Sequence, residues 1–267
     1  MSSSEQTADY VVPKAPKVVA VEWSTIMEAL GKGLSDFRRA PKYGLFFGAF
    51  FATGGIAILA ILNIFDAVWM ILPIMIGFPL VGPFAATGIY EVSHRLANNE
   101  PLSWKAVLLT VFAQRERQTA WIAFSVMFIF WVWVYLVRVL IAIFMGFNSP
   151  SSITGFIEVV LTTQSGMMFL LVGTLVGAVL ALFLFSATVI AMPLLLDTEL
   201  DFVTAMITSF QTVAKSPVPM LGWGVIVTLL AMVAMVPMFL GLIIVFPILG
   251  HATWHLYKAA TEPVPQG

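Results

Sequence analysis

The sequence predicts an all-α, polytopic membrane protein with six transmembrane spans, Pro/Gly-broken helices and several amphipathic interfacial helices. Three observations carry this. The 267 residues are 60% hydrophobic and only 10% charged, with a mean hydropathy of +0.98; a soluble domain averages about 25% charged residues. The apolar runs are unbroken and reach or exceed the ~20 residues of a helical span, whereas a barrel needs alternating strands of about 10 residues. Every Lys and Arg except Arg138 falls on one side of a six-span arrangement, which by the positive-inside rule is the cytoplasmic side. A net charge of −1 gives no basic footprint, so no nucleic-acid partner is expected. Cysteine is absent, which removes disulfides, thiolate nucleophiles and Cys-ligated metals.

Residues 1–21 are polar, lack the basic-then-apolar order of a signal peptide, and are expected to be a disordered cytoplasmic tail. Residues 22–260 then form one membrane domain. Over 22–40, Trp23, Ile26, Met27, Leu30, Leu34 and Phe37 share one face at helical spacing. Lys32, Asp36, Arg38 and Arg39 take the polar side, Thr25 and Glu28 have capping-box spacing, and Pro41 ends the helix. Such a helix lies in the headgroup plane. Span one, 43–64, is rich in Gly and Ala and admits a close neighbour. Asn63 and Asp66 mark a short turn into span two, 67–90, where Pro73, Pro79 and Pro83 with Gly77, Gly82 and Gly88 predict a kinked or unwound helix.

Residues 91–118 form a polar connection holding a second amphipathic piece, with Trp104, Val107, Leu108, Val111 and Phe112 at helical spacing and Ser103 as its cap. Span three covers 119–145. The next connection repeats the helical spacing in Ile153, Phe156, Ile157, Val160 and Leu161. Span four covers 166–196. A third amphipathic stretch follows the acidic Asp197, Glu199 and Asp201. The run 218–258 is too long for one crossing and divides at Pro237 into spans five, 218–235, and six, 238–257. Residues 261–267 are a short tail. The pattern span, polar link, amphipathic helix, span occurs over 67–145 and again over 166–235, in the same orientation.

Two stretches share a pattern. Phe78-Pro79-Leu80-Val81-Gly82 and Phe246-Pro247-Ile248-Leu249-Gly250 each lead to a Tyr followed by a charge, Tyr90-Glu91 and Tyr257-Lys258. Pro79, Gly82, Pro83, Pro247 and Gly250 therefore form a candidate helix-breaking motif, of the kind by which transporters expose backbone to substrate. Arg138 is the one charge well inside a span, and such residues mark function or snorkel to the interface. Glu158 or Asp66 is its candidate counter-charge. Glu91 has the spacing to pair with Arg95. His251 and His255, at i and i+4, could hold a haem or metal, with His94 at the same depth; they serve equally well as interface histidines beside Trp254 and Tyr257. No phosphate loop, nucleophile elbow or HExxH occurs, so an enzyme is not expected.

Four blocks occur together: Ala29–Gly44, Gly82–Leu96, Pro193–Asp197 with Thr204–Ser209, and Gly250–Lys258. Over residues 25–258 the chain resembles a proteobacterial family of integral membrane proteins, domain of unknown function 2189, some of whose members carry a cytochrome c oxidase subunit label. His94 departs from the Arg expected there. Three histidines fall short of a haem–copper ligand set. The resemblance therefore implies an accessory, assembly or scaffold factor in the bacterial inner membrane, contacting lipid and other membrane proteins such as respiratory complexes. The other readings are a small-solute carrier using the broken second span and Arg138, and a redox protein using His251 and His255.

Overall fold

The computed structural model describes residues 15–64, 70, 86–113, 119–146 and 153–262. The described residues are all-α, with helices α1 (Trp23–Arg39), α2 (Pro41–Ile64), α3 (Thr87–Ala97), α4 (Trp104–Ala113), α5 (Thr119–Met145), α6 (Ile153–Thr162), α7 (Gln164–Thr188), α8 (Ala191–Asp197), α9 (Phe202–Lys215), α10 (Pro217–Met235) and α11 (Leu242–Ala260). Four stretches are long and apolar enough to cross a bilayer: Pro41–Ile61, Phe124–Met145, Gln164–Asp197 and Pro217–Met235. Most of the expected second span, with Asp66, Pro79, Gly82 and Pro83, lies outside the described residues.

The axis of the molecule is α11, against which α1, α2, α3 and α10 all pack. Glycines on its neighbours permit the approach. A methyl group at Gly33 of α1 would sit 2.6 Å from the Ala252 nitrogen, and one at Gly48 of α2 would strike the Ile243 carbonyl. That carbonyl is the one Pro247 cannot serve, because proline has no N–H to donate four residues on. At Gly250, α3 comes close through Ile89. Small residues thus replace side-chain interdigitation with backbone contact, as membrane helices commonly do.

This packing corrects the face expected for α1. Its buried residues are Ile26, Ala29, Gly33 and Asp36, while Trp23 and Met27 are exposed. The apolar stripe read from the sequence is rotated because the small side chains, not the large ones, allow α1 to reach α11. Asp36, expected on the polar side, is buried. The capping box also shifts by one turn: the Glu22 N–H donates to Thr25 Oγ1 at 3.3 Å, and Glu28 instead pairs with Lys32 at 2.7 Å. The Ser103 cap forms, with Ala106 N–H donating to its hydroxyl at 3.2 Å.

The expected fourth span divides at residues 189–190 into α7 and α8. The break at Pro237 occurs as a turn, 236–241, in which Met238 and Phe239 adopt left-handed φ of 53° and 66°. The buried Phe239 ring packs on Gly55 and holds that conformation. On the far side, α5, α6 and α7 enclose a second hydrophobic cluster of Trp133, Val137, Ile141, Phe156, Val160 and Phe169. Their outer faces expose large apolar side chains, including Phe128, Trp131, Leu175 and Val179. This is the surface of a protein solvated by lipid rather than by water.

Candidate functional site

The polar end of α11 meets three other helices. Asp36 comes from α1, Ser93 and His94 from α3, Asp197 from the end of α8, and His251, His255, Tyr257 and Lys258 from α11 itself. Two hydrogen-bonded groups result.

In the first, the Ser93 hydroxyl donates to Asp36 Oδ2 at 3.0 Å, His255 Nε2 lies 2.7 Å from the same oxygen, and His251 Nδ1 lies 2.7 Å from Ser93 Oγ. Ser93 and His251 have no exposed surface, and the side chains of Asp36 and His255 are 7% and 16% exposed. Burial pushes the Asp36 carboxyl up, but the hydrogen bond and charge of His255, with the Ser93 hydroxyl, outweigh it and hold the group below the ordinary aspartate value. Arg39 adds a looser contact at 3.9 Å.

In the second, Asp197 accepts from Tyr257 Oη and Lys258 Nζ, each at 2.6 Å, and from His94 Nδ1 at 3.1 Å. The hydrogen bond to Asp197 raises the His94 imidazole above its ordinary value, against burial that lowers it. Beside this group, Arg95 Nε donates to Glu91 Oε1 at 2.6 Å and Arg95 also lies 3.3 Å from Glu100. The imidazole of His94 sits edge-on to Trp254.

The sequence-derived candidates separate under this geometry. Glu91 is buried and paired with Arg95, and Tyr90 beside it is buried as well. Arg138 is exposed on α5, next to Val137 of the second cluster, and the bonds of the α11 network are made by other residues. His251 and His255 share a face, but each turns a nitrogen toward the Ser93–Asp36 unit that fills the space between them. His94 binds Asp197 instead of joining them. Among the described residues, no group of three or more His, Cys, Asp or Glu could hold a metal ion. In this geometry His251 and His255 are engaged in an internal hydrogen-bond network. Pro247 and Gly250 stand inside α11, where they govern packing.

Sequence reasoning missed Asp36, Ser93 and Asp197. For Asp36 a signal existed: Ala29, Gly33 and Asp36 repeat at helical spacing and form a small-residue stripe ending in a carboxylate. For Ser93 and Asp197 nothing local distinguishes them, since their partners are 158 and 60 residues away.

Residues 71–197 match the family model described as predicted integral membrane protein (DUF2189). The protein is thus similar to that family across α3–α8, including Ser93, His94 and Asp197, while α1, α2 and α9–α11 lie outside the match. No curated protein and no solved structure matches the chain.

Proposed function

We propose that this integral membrane protein is a non-enzymatic accessory, assembly or scaffold factor of the bacterial inner membrane that works through contact with other membrane proteins, respiratory complexes among them. The observation that carries this reading is the interlocking of the polar end. The carboxylates, imidazoles and hydroxyls of α1, α3, α8 and α11 bond to one another across helices, which fixes a framework. One open concavity among the described residues, by contrast, is an apolar furrow of about 640 Å³ along α5, lined by Phe124, Phe128, Trp131 and Tyr135 among others.

The reading includes six spans with both termini cytoplasmic. Val18 and Thr261 are joined as an antiparallel bridge, and Lys17 pairs with Glu262 at 3.2 Å. Two residues side by side lie on one face of a bilayer, so the chain between them crosses an even number of times. This supports six crossings over five. Reporter fusions near residues 155 and 236 are expected to report the periplasm; a cytosolic result at either overturns the topology. Purification from native membranes tests the role: co-migration with a respiratory complex supports it, and solute flux in liposomes made with the pure protein overturns it.

A further inference from the structure

We propose that the corner where α1, α2 and α4 meet binds one anionic phospholipid, its phosphate held by Arg38, Lys42 and Lys105 and its acyl chain lying along the outer face of α2. This goes beyond the scaffold reading and does not depend on it. The stretch of α2 that is long and apolar enough to cross a bilayer begins at Pro41. Lys42 therefore stands at the edge of the hydrocarbon, the depth of lipid headgroups. Arg38 and Arg39 end α1 immediately before it. The remaining cation comes from α4. The Trp104 ring packs on Tyr43, with 4.3 Å between centroids, and edge-on to Phe46 at 5.0 Å. That contact brings Lys105, the next residue, to the same corner as Lys42, whose Nζ lies 5.1 Å from the Tyr43 ring.

The positive charge gathered here lacks a counter-charge. The acids of adjoining helices are engaged elsewhere: Asp36 with His255, and Glu91 and Glu100 with Arg95. Arg38, Lys42 and Lys105 are exposed, and among the described residues they make no ion pair. Lys32, by contrast, is paired with Glu28. Neither α2 nor α4 has an acid in its first turn, and each has a lysine there instead. A helix start is the positive end of its dipole, so the lysines add like charge to like. Tyr43 is buried, and its hydroxyl has no hydrogen-bond partner among the described residues, which leaves a further donor unused.

Basic residues are common on the cytoplasmic face of any membrane protein. What sets this corner apart is the apolar lane that continues from it. Further into the span, α2 turns Leu45, Phe46 and Phe50 outward, with 42%, 46% and 72% of their surface exposed. Phe46 and Phe50 are four residues apart and share a face. Trp104 joins the two parts, since its ring touches both Tyr43 and Phe46. A soluble anion has no use for the lane. A phospholipid presents a phosphate and then an acyl chain in this order, and basic pockets between membrane helices hold such headgroups.

The test uses the full chain, purified and stripped of lipid in detergent. It is titrated with phosphatidylglycerol and, separately, with phosphatidylcholine of the same acyl chains, and bound lipid is counted by native mass spectrometry. Phosphatidylglycerol is expected to fill one site at concentrations where phosphatidylcholine binds little. Lys42→Gln and Lys105→Gln should each weaken it about fivefold, the share of one Lys near an anionic lipid surface, and Lys42→Arg should keep it. Lys32→Gln removes the same charge away from the corner and should leave binding unchanged. Inorganic phosphate should not displace the lipid. The two lysines lie on different helices, so one variant answers if the other fails to fold. Equal binding of the two lipids, equal losses in Lys32→Gln and Lys42→Gln, or displacement by inorganic phosphate overturns the site. None of these results bears on co-migration with a respiratory complex, which tests the scaffold reading alone.

Discussion

Asp36 shows how a single buried carboxylate can set the behaviour of three neighbours. It accepts from Ser93 and His255 and through Ser93 orients His251. Replacing it with Ala leaves these groups buried without their acceptor, and losing one partner of a buried pair costs about 3–5 kcal/mol. Asp36→Ala is therefore expected to lower the unfolding midpoint of the purified protein sharply, whereas Asp36→Asn should retain part of the bonding and fall between. His94 makes a pH-dependent contribution of definite sign. Its folded pKa is raised above the ordinary 6.5 by Asp197. The folded state thus binds the proton more tightly than the unfolded chain, and stability from this pair is full below about pH 6.5 and lost as pH rises through the folded pKa. Thermal unfolding midpoints should decline over that rise, and His94→Phe should flatten the decline. A midpoint that climbs with pH over the same window in the native protein alone contradicts the assignment.

Among the elements, α2 and α11 illustrate why spacing of glycines matters more than their number. Gly48 lies under the Ile243 carbonyl, while for Gly54, on the same helix, no atom of another element among the described residues comes within 4 Å of where a methyl would stand. Gly48→Ala must push the helices apart and should cost about 1–3 kcal/mol, the range for overpacking. Gly54→Ala meets no obstacle and should stabilise the helix by roughly 0.5–1 kcal/mol. Comparing the two variants in one unfolding assay separates close packing from helix propensity. The same logic explains α1. Periodicity correctly placed a helix there, yet the face it turns inward was chosen by Gly33 against Ala252, a contact no pattern within α1 could display. For α4, α6 and α10 the sequence signals of spacing, capping and proline sufficed, because those helices are set by local chemistry.

For the molecule as a whole, the ends of the described chain are tied together. Val19 N–H donates to the Ala260 carbonyl at 2.8 Å, Glu262 N–H to the Lys17 carbonyl at 2.9 Å, and Lys215 Nζ caps the Val18 carbonyl at 2.7 Å. The chain contains no cysteine, so Val18→Cys with Thr261→Cys offers a clean probe. Mild oxidation should join the pair in intact membranes, read as a linked product after cleavage of a loop between them. Failure to link, with each single variant folded, would part the termini and remove the support for an even number of crossings.

By itself the sequence determined the class of this protein and most of its helices. Long apolar runs must become helices in lipid, where every backbone group needs an internal partner, and prolines and caps mark the ends. It also made the Glu91–Arg95 pair legible, since four residues of helix bring the two together. Only the tertiary structure decided which polar residues meet. Asp36 and His255 are 219 residues apart, and their encounter depends on how closely two backbones approach, a property of the assembled helices that the pattern of any one of them does not contain.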